Sequence, residues 1–342
     1  MSIDFTGITN QNEFYTNYYL SAIFEQDLTE HLKNWTVAQD SGEKLPYERL
    51  SALRRDFFIL HDSLRKFKKA EDVFDSSVPF VQKVLNLLGY DYAPRLKDTE
   101  NGVVPIVAEV LKTDGSPYLW VIQVAGLPEE ETDPLHQVFL PAQFVDELNP
   151  AKHLLNQELE SIIAKEIFAS PEPPRWIIAI QYDRIILIDR SKWSDKRLLG
   201  FDLSEILNRR ESSTLKATTV LLHKSSLCPD SGTSLLDTLD ENSHKHAFAV
   251  SEDLKYAARE AVELIGNEAI WYISQVQKRQ SLPVPSWRNS FPARHCAICT
   301  VCCSSFIWKL VRKNLVRFRC ETMPIVPGTV WNPCVNWKWF PF

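Results

Sequence analysis

The residue composition changes abruptly near Ser274, and this change limits how much of the chain can belong to one folded body. Of the 342 residues, those after Gln280 hold six of the seven cysteines and five of the ten tryptophans. The same stretch carries eight Lys or Arg residues against one acid, Glu321, whereas the remainder holds 30 basic and 43 acidic residues. Such a switch indicates a domain boundary, an unrelated tail or a shifted reading frame. We therefore expect residues 275–342 to be separate from the fold of residues 1–274.

The part before this break has the composition of an ordinary globular protein. The whole chain is 44% hydrophobic, which is enough to bury a substantial core. No run approaches eighteen apolar residues, and the N-terminus has neither a basic start nor an apolar stretch. Cys228 is the only cysteine before residue 280, which suits a reducing compartment. We expect a cytoplasmic protein without a membrane partner. Its excess of acidic residues argues against a uniformly basic surface that binds nucleic acid.

The spacing of apolar residues predicts strands between two helical regions. Helical spacing is found at residues 13–33, 47–69, 80–88, 152–168, 212–223 and 252–273. The third of these helices is predicted to begin after Pro79 and to end at Gly89, and the last to be capped by Ser251 or Asp253. A short extended segment is found at residues 90–93, and strand-like runs are found at residues 103–111, 118–125, 176–181 and 184–189. The turn Thr113-Asp114-Gly115-Ser116 predicts that the runs 103–111 and 118–125 form a hairpin.

The order helix, three strands, helix, strand over residues 79–181 resembles the core of the PD-(D/E)xK restriction-endonuclease fold. In that family two carboxylates hold Mg²⁺, and a lysine helps to activate water for attack on phosphate. The resemblance implies that Glu109 is the acid of the first hairpin strand. Gln123 and Ala125 then stand where the family carries its second acid and its lysine. An amide carries no negative charge and alanine is no cation, so this alignment predicts a site unable to hold the metal.

A second alignment takes other residues of the same hairpin. It uses Asp98 as the first acid, Glu109 as the second and Lys112 as the basic residue. One extra spacer residue would place Lys112 on the opposite strand face from Glu109. A third interpretation is that Glu109 and Lys112 only solvate the edge of the hairpin.

Three long segments resemble the N-terminal region of bacterial fusion-type restriction-modification enzymes that carry an adenine-specific DNA methyltransferase. They are ITNQNEFYTNYYLSAIFEQDL, PPRWIIAIQYDRIILIDRSKW and LLDTLDENSHKHAFAVSEDLKYAAREAVELIGNEA, and the resemblance covers about residues 8–274. It implies an intact enzyme that uses S-adenosylmethionine and Mg²⁺ and acts on double-stranded DNA. The methyltransferase motifs themselves are missing, because no G-x-G cluster occurs and Asn332-Pro333-Cys334-Val335 lacks the second proline and the aromatic residue. We expect no cofactor in this chain.

The tail has two interpretations. Cys296, Cys299 and Cys302 have the spacing of zinc ligands, but no matching second C-x-x-C pair follows. Alternatively, a frameshift near Gln275 explains the excess of Cys and Trp. The codons for these residues begin with T, and in a frame shifted by one base that T becomes the middle base of a codon. Codons with T in the middle encode apolar residues, so the original frame would encode an ordinary apolar pattern.

The predicted fold class is α/β, of the α+β kind, in four parts. These are a helical segment (1–78), a restriction-endonuclease-like domain (79–202), a helical connector (203–274) and the basic tail (275–342). The first functional hypothesis is an N-terminal fragment of a restriction-modification methyltransferase that is inactive alone. The alternatives are a DNA-binding or scaffold module that uses basic helix faces, and a Mg²⁺-dependent endonuclease. The residues of those faces are Arg54, Arg55, Arg65 and Lys69.

Overall fold

The computed structural model describes residues 5–38, 44–127, 133–144, 152–229 and 233–272, together with residue 275. The chain divides into two compact units, Met1–Ser251 and Glu252–Phe342. The first unit is a mixed α/β fold built on a six-stranded sheet. Across the described residues, every helix is too short or too polar to span a membrane.

The secondary structure alternates between helical and extended regions. The strands are β1 (Ile8–Gln11), β2 (Arg95–Thr99), β3 (Gly102–Ile106), β4 (Ala108–Leu111), β5 (Pro117–Gln123), β6 (Trp176–Ile180), β7 (Arg184–Asp189) and β8 (Leu198–Asp202). The helices are α1 (Asn17–Ala22), α2 (Phe24–Ala38), α3 (Pro46–Ala52), α4 (Arg54–Leu64), α5 (Ala70–Leu87), α6 (Lys152–Leu155), α7 (Leu159–Ile162), α8 (Leu203–Arg209), α9 (Ser212–Leu222), α10 (Lys224–Leu227) and α11 (Leu235–Trp271). Short 3₁₀ helices lie at Pro134–His136, Pro141–Gln143 and Arg190–Asp195, and a π-helical turn, Ile163–Ile167, extends α7.

The sheet has the strand order β1-β8-β7-β6-β5-β4. Only β5 and β6 run parallel, and the other neighbours in this sheet are antiparallel. A parallel pair needs a crossover connection, and the segment that contains α6 and α7 supplies it. β2 and β3 form a separate antiparallel pair. The carboxyl ends of β5 and β6 therefore lie at the same edge of the sheet.

A hydrophobic core covers each face of the sheet, because side chains alternate along every strand. On one face, Leu119 and Val121 of β5 belong to a core shared with helices α1–α5 and α8–α11. On the other face, Trp120 and Ile122 belong to a core shared with α6, α7 and the 3₁₀ segments. Helices on both faces explain why β6 is completely buried (WIIAI) and does not alternate between apolar and polar residues.

The predicted hairpin and the two later strands are confirmed, but the run 103–111 is two strands, β3 and β4, which bend apart at Val107 and belong to different sheets. β4 pairs with β5, and the Ser116 backbone N–H donates to the Asp114 carboxylate at 2.9 Å, which stabilises the turn. β6 and β7 also form an antiparallel pair around the turn at Tyr182 and Asp183.

The predicted start of the third helix is wrong, because Pro79 lies inside α5. A proline costs a helix one backbone hydrogen bond, yet this helix continues through it. Buried residues precede and follow the proline on one helix face, including Val73, Phe74, Phe80 and Val81. Their burial outweighs the missing bond. The predicted end is confirmed, since Gly89 follows the helix with φ of +85°, a conformation that glycine adopts without strain.

The N-terminus of the last helix also differs from the prediction. α11 begins at Leu235, so Ser251 and Asp253 lie inside it and not at a cap. Leu236 and Leu239 are buried in the core, which favours helix well before the exposed stretch that contains Ser251.

Three strands, β1, β2 and β8, were missed by the spacing of apolar residues, and the extended segment predicted at residues 90–93 is not a strand. β1 pairs with β8, with Ile8 opposite Phe201, and β1 is an edge strand of the sheet. The N-terminal segment is therefore not wholly helical.

Candidate functional site

Glu109 lies on β4 and is held by three side chains. Its side chain is only 1% exposed, and it forms ion pairs with Lys97 Nζ at 2.7 Å and Arg95 Nη1 at 3.2 Å, both from β2. Trp120 Nε1, directly opposite on β5, donates a hydrogen bond to Glu109 Oε1 at 3.0 Å. Both carboxylate oxygens are thus engaged, Oε1 by the indole and Oε2 by the two cations.

This arrangement makes Glu109 a structural counter-ion. A buried carboxylate is tolerated only when charges and hydrogen bonds replace its water, and these three partners do so. A Mg²⁺ ion at this oxygen pair would have to displace a cation that the fold positions there. The residues present therefore do not fit the metal site that the nuclease resemblance implies.

Gln123 lies on the opposite face of the sheet from Glu109. It is three residues beyond Trp120 on β5, so the pleat directs it toward α5. Its amide is 1% exposed and contacts the Tyr92 hydroxyl at 3.2 Å and Ser77 Oγ at 3.3 Å. The first alignment therefore does not bring Glu109 and Gln123 into one site.

Neutral polar side chains surround the carboxyl ends of β5 and β6. We call this group the amide cluster, and its members are Ser77, Tyr92, Gln123, Gln143 and Gln181. Gln143 Nε2 donates to the Gln123 carbonyl at 2.6 Å, and the Val124 N–H donates to the Ile180 carbonyl at 2.9 Å. Burial raises the pKa of Tyr92, so its hydroxyl keeps its proton at neutral pH. The cluster itself offers no carboxylate to a divalent cation.

The backbone at Gly126 lies close to the Gln181 side chain at this edge of the sheet. A β-carbon added at Gly126 would lie 2.5 Å from Gln181 Nε2. That nitrogen is buried and has no hydrogen-bond partner among the described residues. Ala125, one residue earlier, is also buried, and its methyl group packs in place of a charged side chain.

No protein-family model, curated protein or solved structure matches this chain.

The residues of the second alignment are spread along the hairpins. Asp98 is exposed on β2 and pairs with Val103 of β3. It is one residue from Lys97, so the pleat directs it to the opposite face of β2 from the side chain that contacts Glu109. Lys112 is exposed in the turn after β4, and its Nζ lies 5.7 Å from the centre of the Tyr118 ring. The cations beside Glu109 are instead Arg95 and Lys97.

The remaining predicted site residues lie outside the described residues or on the protein surface. Cys296, Cys299 and Cys302 lie outside the described residues. Arg54, Arg55, Arg65 and Lys69 are all exposed on or beside α4. Arg54 has a structural role, because its Nε donates to the Leu207 carbonyl at 3.1 Å and its guanidinium lies over the Phe58 ring.

The sequence analysis did not identify the side chains that contact Glu109 and Gln123. Arg95 and Lys97 are two residues apart, which places both on one face of β2, and this spacing was a usable signal. Gln123 and Gln181 each follow a run of apolar strand residues, so a buried amide at each strand end was also readable. Ser77 on α5 and Gln143 in a 3₁₀ helix carried no comparable signal.

Proposed function

We propose that this chain is the N-terminal part of a DNA restriction-modification enzyme whose nuclease-like domain has lost its metal centre. The observation that carries the proposal is the order of elements from α5 to β6. Helix α5 is followed by the separate β2–β3 pair and the β4–β5 hairpin, then by α6 and α7, and then by β6, which runs parallel to β5. The nuclease core predicted from the sequence has a helix, three strands, a helix and a strand, whereas this chain has four strands between the helices, of which only β4 and β5 belong to the six-stranded sheet. What the two orders share is a helix, a hairpin, a helix and a strand.

The chemistry of the amide cluster supports the loss of activity. Phosphodiester cleavage by such a site requires at least two carboxylates that share Mg²⁺, so that the metal can polarise the phosphate and activate water. The chain offers the neutral Gln123 and the methyl group of Ala125 instead, and both are buried. Methyl transfer is also expected to be absent, because no glycine-rich cofactor turn occurs in the sequence.

The cleavage assay has a defined expected result. Purified chain incubated with plasmid DNA and 10 mM Mg²⁺, on the order of a standard nuclease buffer, should leave the plasmid uncut. Glu109→Gln should give the same result, because under the proposal the wild type has no cleavage activity to lose, whereas the alternative endonuclease would need the charge that this substitution removes. Metal-dependent cutting by the wild type that Glu109→Gln abolishes would reject the proposal in favour of an active nuclease.

The coding DNA tests membership in the enzyme class independently of activity. We expect a neighbouring reading frame, beginning near codon 275, to continue into a glycine-rich turn and an Asn-Pro-Pro-aromatic motif. If no such frame exists, the tail is genuine, and the proposal of a disrupted methyltransferase fails.

A second candidate function is binding of duplex DNA through helices α3 to α5. A groove of about 260 Å³ is lined by Arg49 of α3 and by Lys83 and Asn86 of α5. Arg55, Arg65 and Lys69 are exposed nearby in the sequence, so the region holds three guanidinium groups and two ammonium groups, which suit phosphate contacts. Lys83 Nζ also forms an ion pair with Asp56 at 2.6 Å, so its charge is partly neutralised and it contributes less to phosphate binding.

Charge reversal tests this second function. Arg55→Glu with Arg65→Glu should weaken binding to a short duplex and reduce the salt slope by about one for each lost phosphate contact. The matched control is Lys245→Glu with Arg259→Glu, which reverses the same number of charges, because both are exposed cations on α11, paired with Glu241 and Glu263. Equal weakening by the control would mean that only net charge matters, and no binding at low salt would exclude the function.

A further inference from the structure

One histidine and two glutamates converge on the side of the sheet that α6 and α7 cover. They are His136, Glu158 and Glu160, and one ligand atom from each lies within 4.8 Å of the other two. His136 Nδ1 is 2.8 Å from Glu158 Oε2. His136 and Glu158 are exposed, and Glu160 is partly exposed, so solvent can reach the group.

Backbone contacts hold the segments that carry these side chains together. His136 ends a 3₁₀ helix that Asp133 caps through a 2.9 Å hydrogen bond from the Leu135 N–H. An isolated β-bridge joins Val138 to Glu158, and the Leu159 N–H donates to the Gln137 carbonyl at 2.8 Å. The convergence therefore follows from main-chain pairing between two segments and does not depend on flexible side chains alone.

We propose that His136, Glu158 and Glu160 bind a divalent metal ion of the Mn²⁺ type. One imidazole nitrogen and two carboxylate oxygens are a donor set that first-row divalent ions accept, with water completing the coordination. Ligand atoms about 2.1 Å from one ion lie at most about 4.2 Å apart, so small side-chain rotations are sufficient to close the site. The ion would replace the hydrogen bond between His136 and Glu158.

Lys196 competes with the metal at this position. Its Nζ forms an ion pair with Glu160 and lies 4.1 Å from the centre of the Trp193 ring. Because the ammonium group can remain over the indole, releasing Glu160 does not leave the lysine without a contact. Lys196→Met should therefore strengthen metal binding, whereas loss of a ligand should weaken it.

The test is titration of the full chain with Mn²⁺. Binding is measured by electron paramagnetic resonance as the loss of the signal of the free ion. Mn²⁺ is the appropriate probe because it prefers oxygen and nitrogen donors, so the six tail cysteines compete much less than they would for Zn²⁺. We expect binding of one ion by the wild type. His136→Ala and Glu160→Gln should each weaken binding about tenfold or more, and Lys196→Met should tighten it several-fold.

The matched control is His244→Ala. His244 is also exposed and faces a carboxylate, that of Asp240 at 3.7 Å. The His244→Ala variant should bind Mn²⁺ like the wild type. Glu109→Gln should also bind it like the wild type, which would show that the metal site is distinct from the nuclease-like hairpin. Equal affinities in His136→Ala and His244→Ala would overturn the proposal, and so would the absence of binding at millimolar Mn²⁺. Circular dichroism spectra that match the wild type would show that the exposed substitutions leave the fold intact.

Discussion

Replacing Glu109 with alanine is expected to lower the free energy of unfolding by about 3 kcal/mol, measured by urea denaturation. The substitution leaves Lys97 and Arg95 without their counter-ion and Trp120 Nε1 without its acceptor. Loss of one partner from a buried pair costs about 3–5 kcal/mol. The lower end applies here because Arg95 is 45% and Lys97 29% exposed, so both can recover water.

Glu109→Gln is the informative companion to this variant. The amide keeps the volume and an acceptor for Trp120 but removes the charge, so we expect a loss of about half that of the alanine variant. An alanine variant within about 0.5 kcal/mol of the wild type would contradict the structural role of Glu109. Together with the cleavage assay, the pair distinguishes a carboxylate that holds the hairpin from one that holds a metal.

The second large effect is a pH dependence in which two groups act in opposite directions. Burial, and then the charges of His31, Arg49 and Lys224, lower the pKa of His223 from its ordinary value of 6.5 to about 4. Its Nδ1 accepts a hydrogen bond from the Ser225 N–H at 3.2 Å, an arrangement that protonation of Nδ1 would abolish. Between pH 6.5 and 4 the unfolded chain binds a proton that the folded chain excludes. The free energy of unfolding therefore falls by about 2–3 kcal/mol as the pH falls through this range.

Asp183, in the turn between β6 and β7, acts in the opposite direction. Burial raises its pKa from the ordinary value of 3.8 to about 6, although Arg184 partly counteracts this. Between pH 3.8 and 6 the folded chain holds a proton that the unfolded chain has released. This contribution is present at low pH and decreases by about 2–3 kcal/mol as the pH rises. From pH 4 to 6 the two contributions should largely cancel in the wild type.

Single substitutions separate the two contributions. Measured by urea denaturation at several pH values, His223→Gln should gain about 2–3 kcal/mol relative to the wild type between pH 7 and pH 4. Asp183→Asn should gain a similar amount relative to the wild type between pH 4 and pH 7. Differences from the wild type that do not change with pH would show that neither group has a shifted pKa. The double variant should show little change relative to the wild type from pH 4 to 6.

Local patterns predicted much of the secondary structure and part of the candidate site. The β4–β5 hairpin, the strands β6 and β7 and the helix α9 follow from turn residues and apolar spacing, which act over a few neighbouring residues. The neutrality of Gln123 and Ala125 was also readable, because it depends only on residue type. The shared strand face of Arg95 and Lys97 was readable from their spacing, but their pairing with Glu109 was not, since it depends on which face of β4 meets β2.

The sequence by itself determined which segments form the hairpin, which residues lack the charge that a nuclease needs, and where the composition of the chain changes. Only the tertiary structure decided that β1 pairs with β8 across 190 residues, that α5 continues through Pro79, and that Glu109 and Gln123 lie on opposite sheet faces. It also decided that His136 meets Glu158. The physical reason is that local backbone preferences depend on neighbouring residues. Pairing and burial between distant segments depend instead on which contacts lower the free energy of the whole fold.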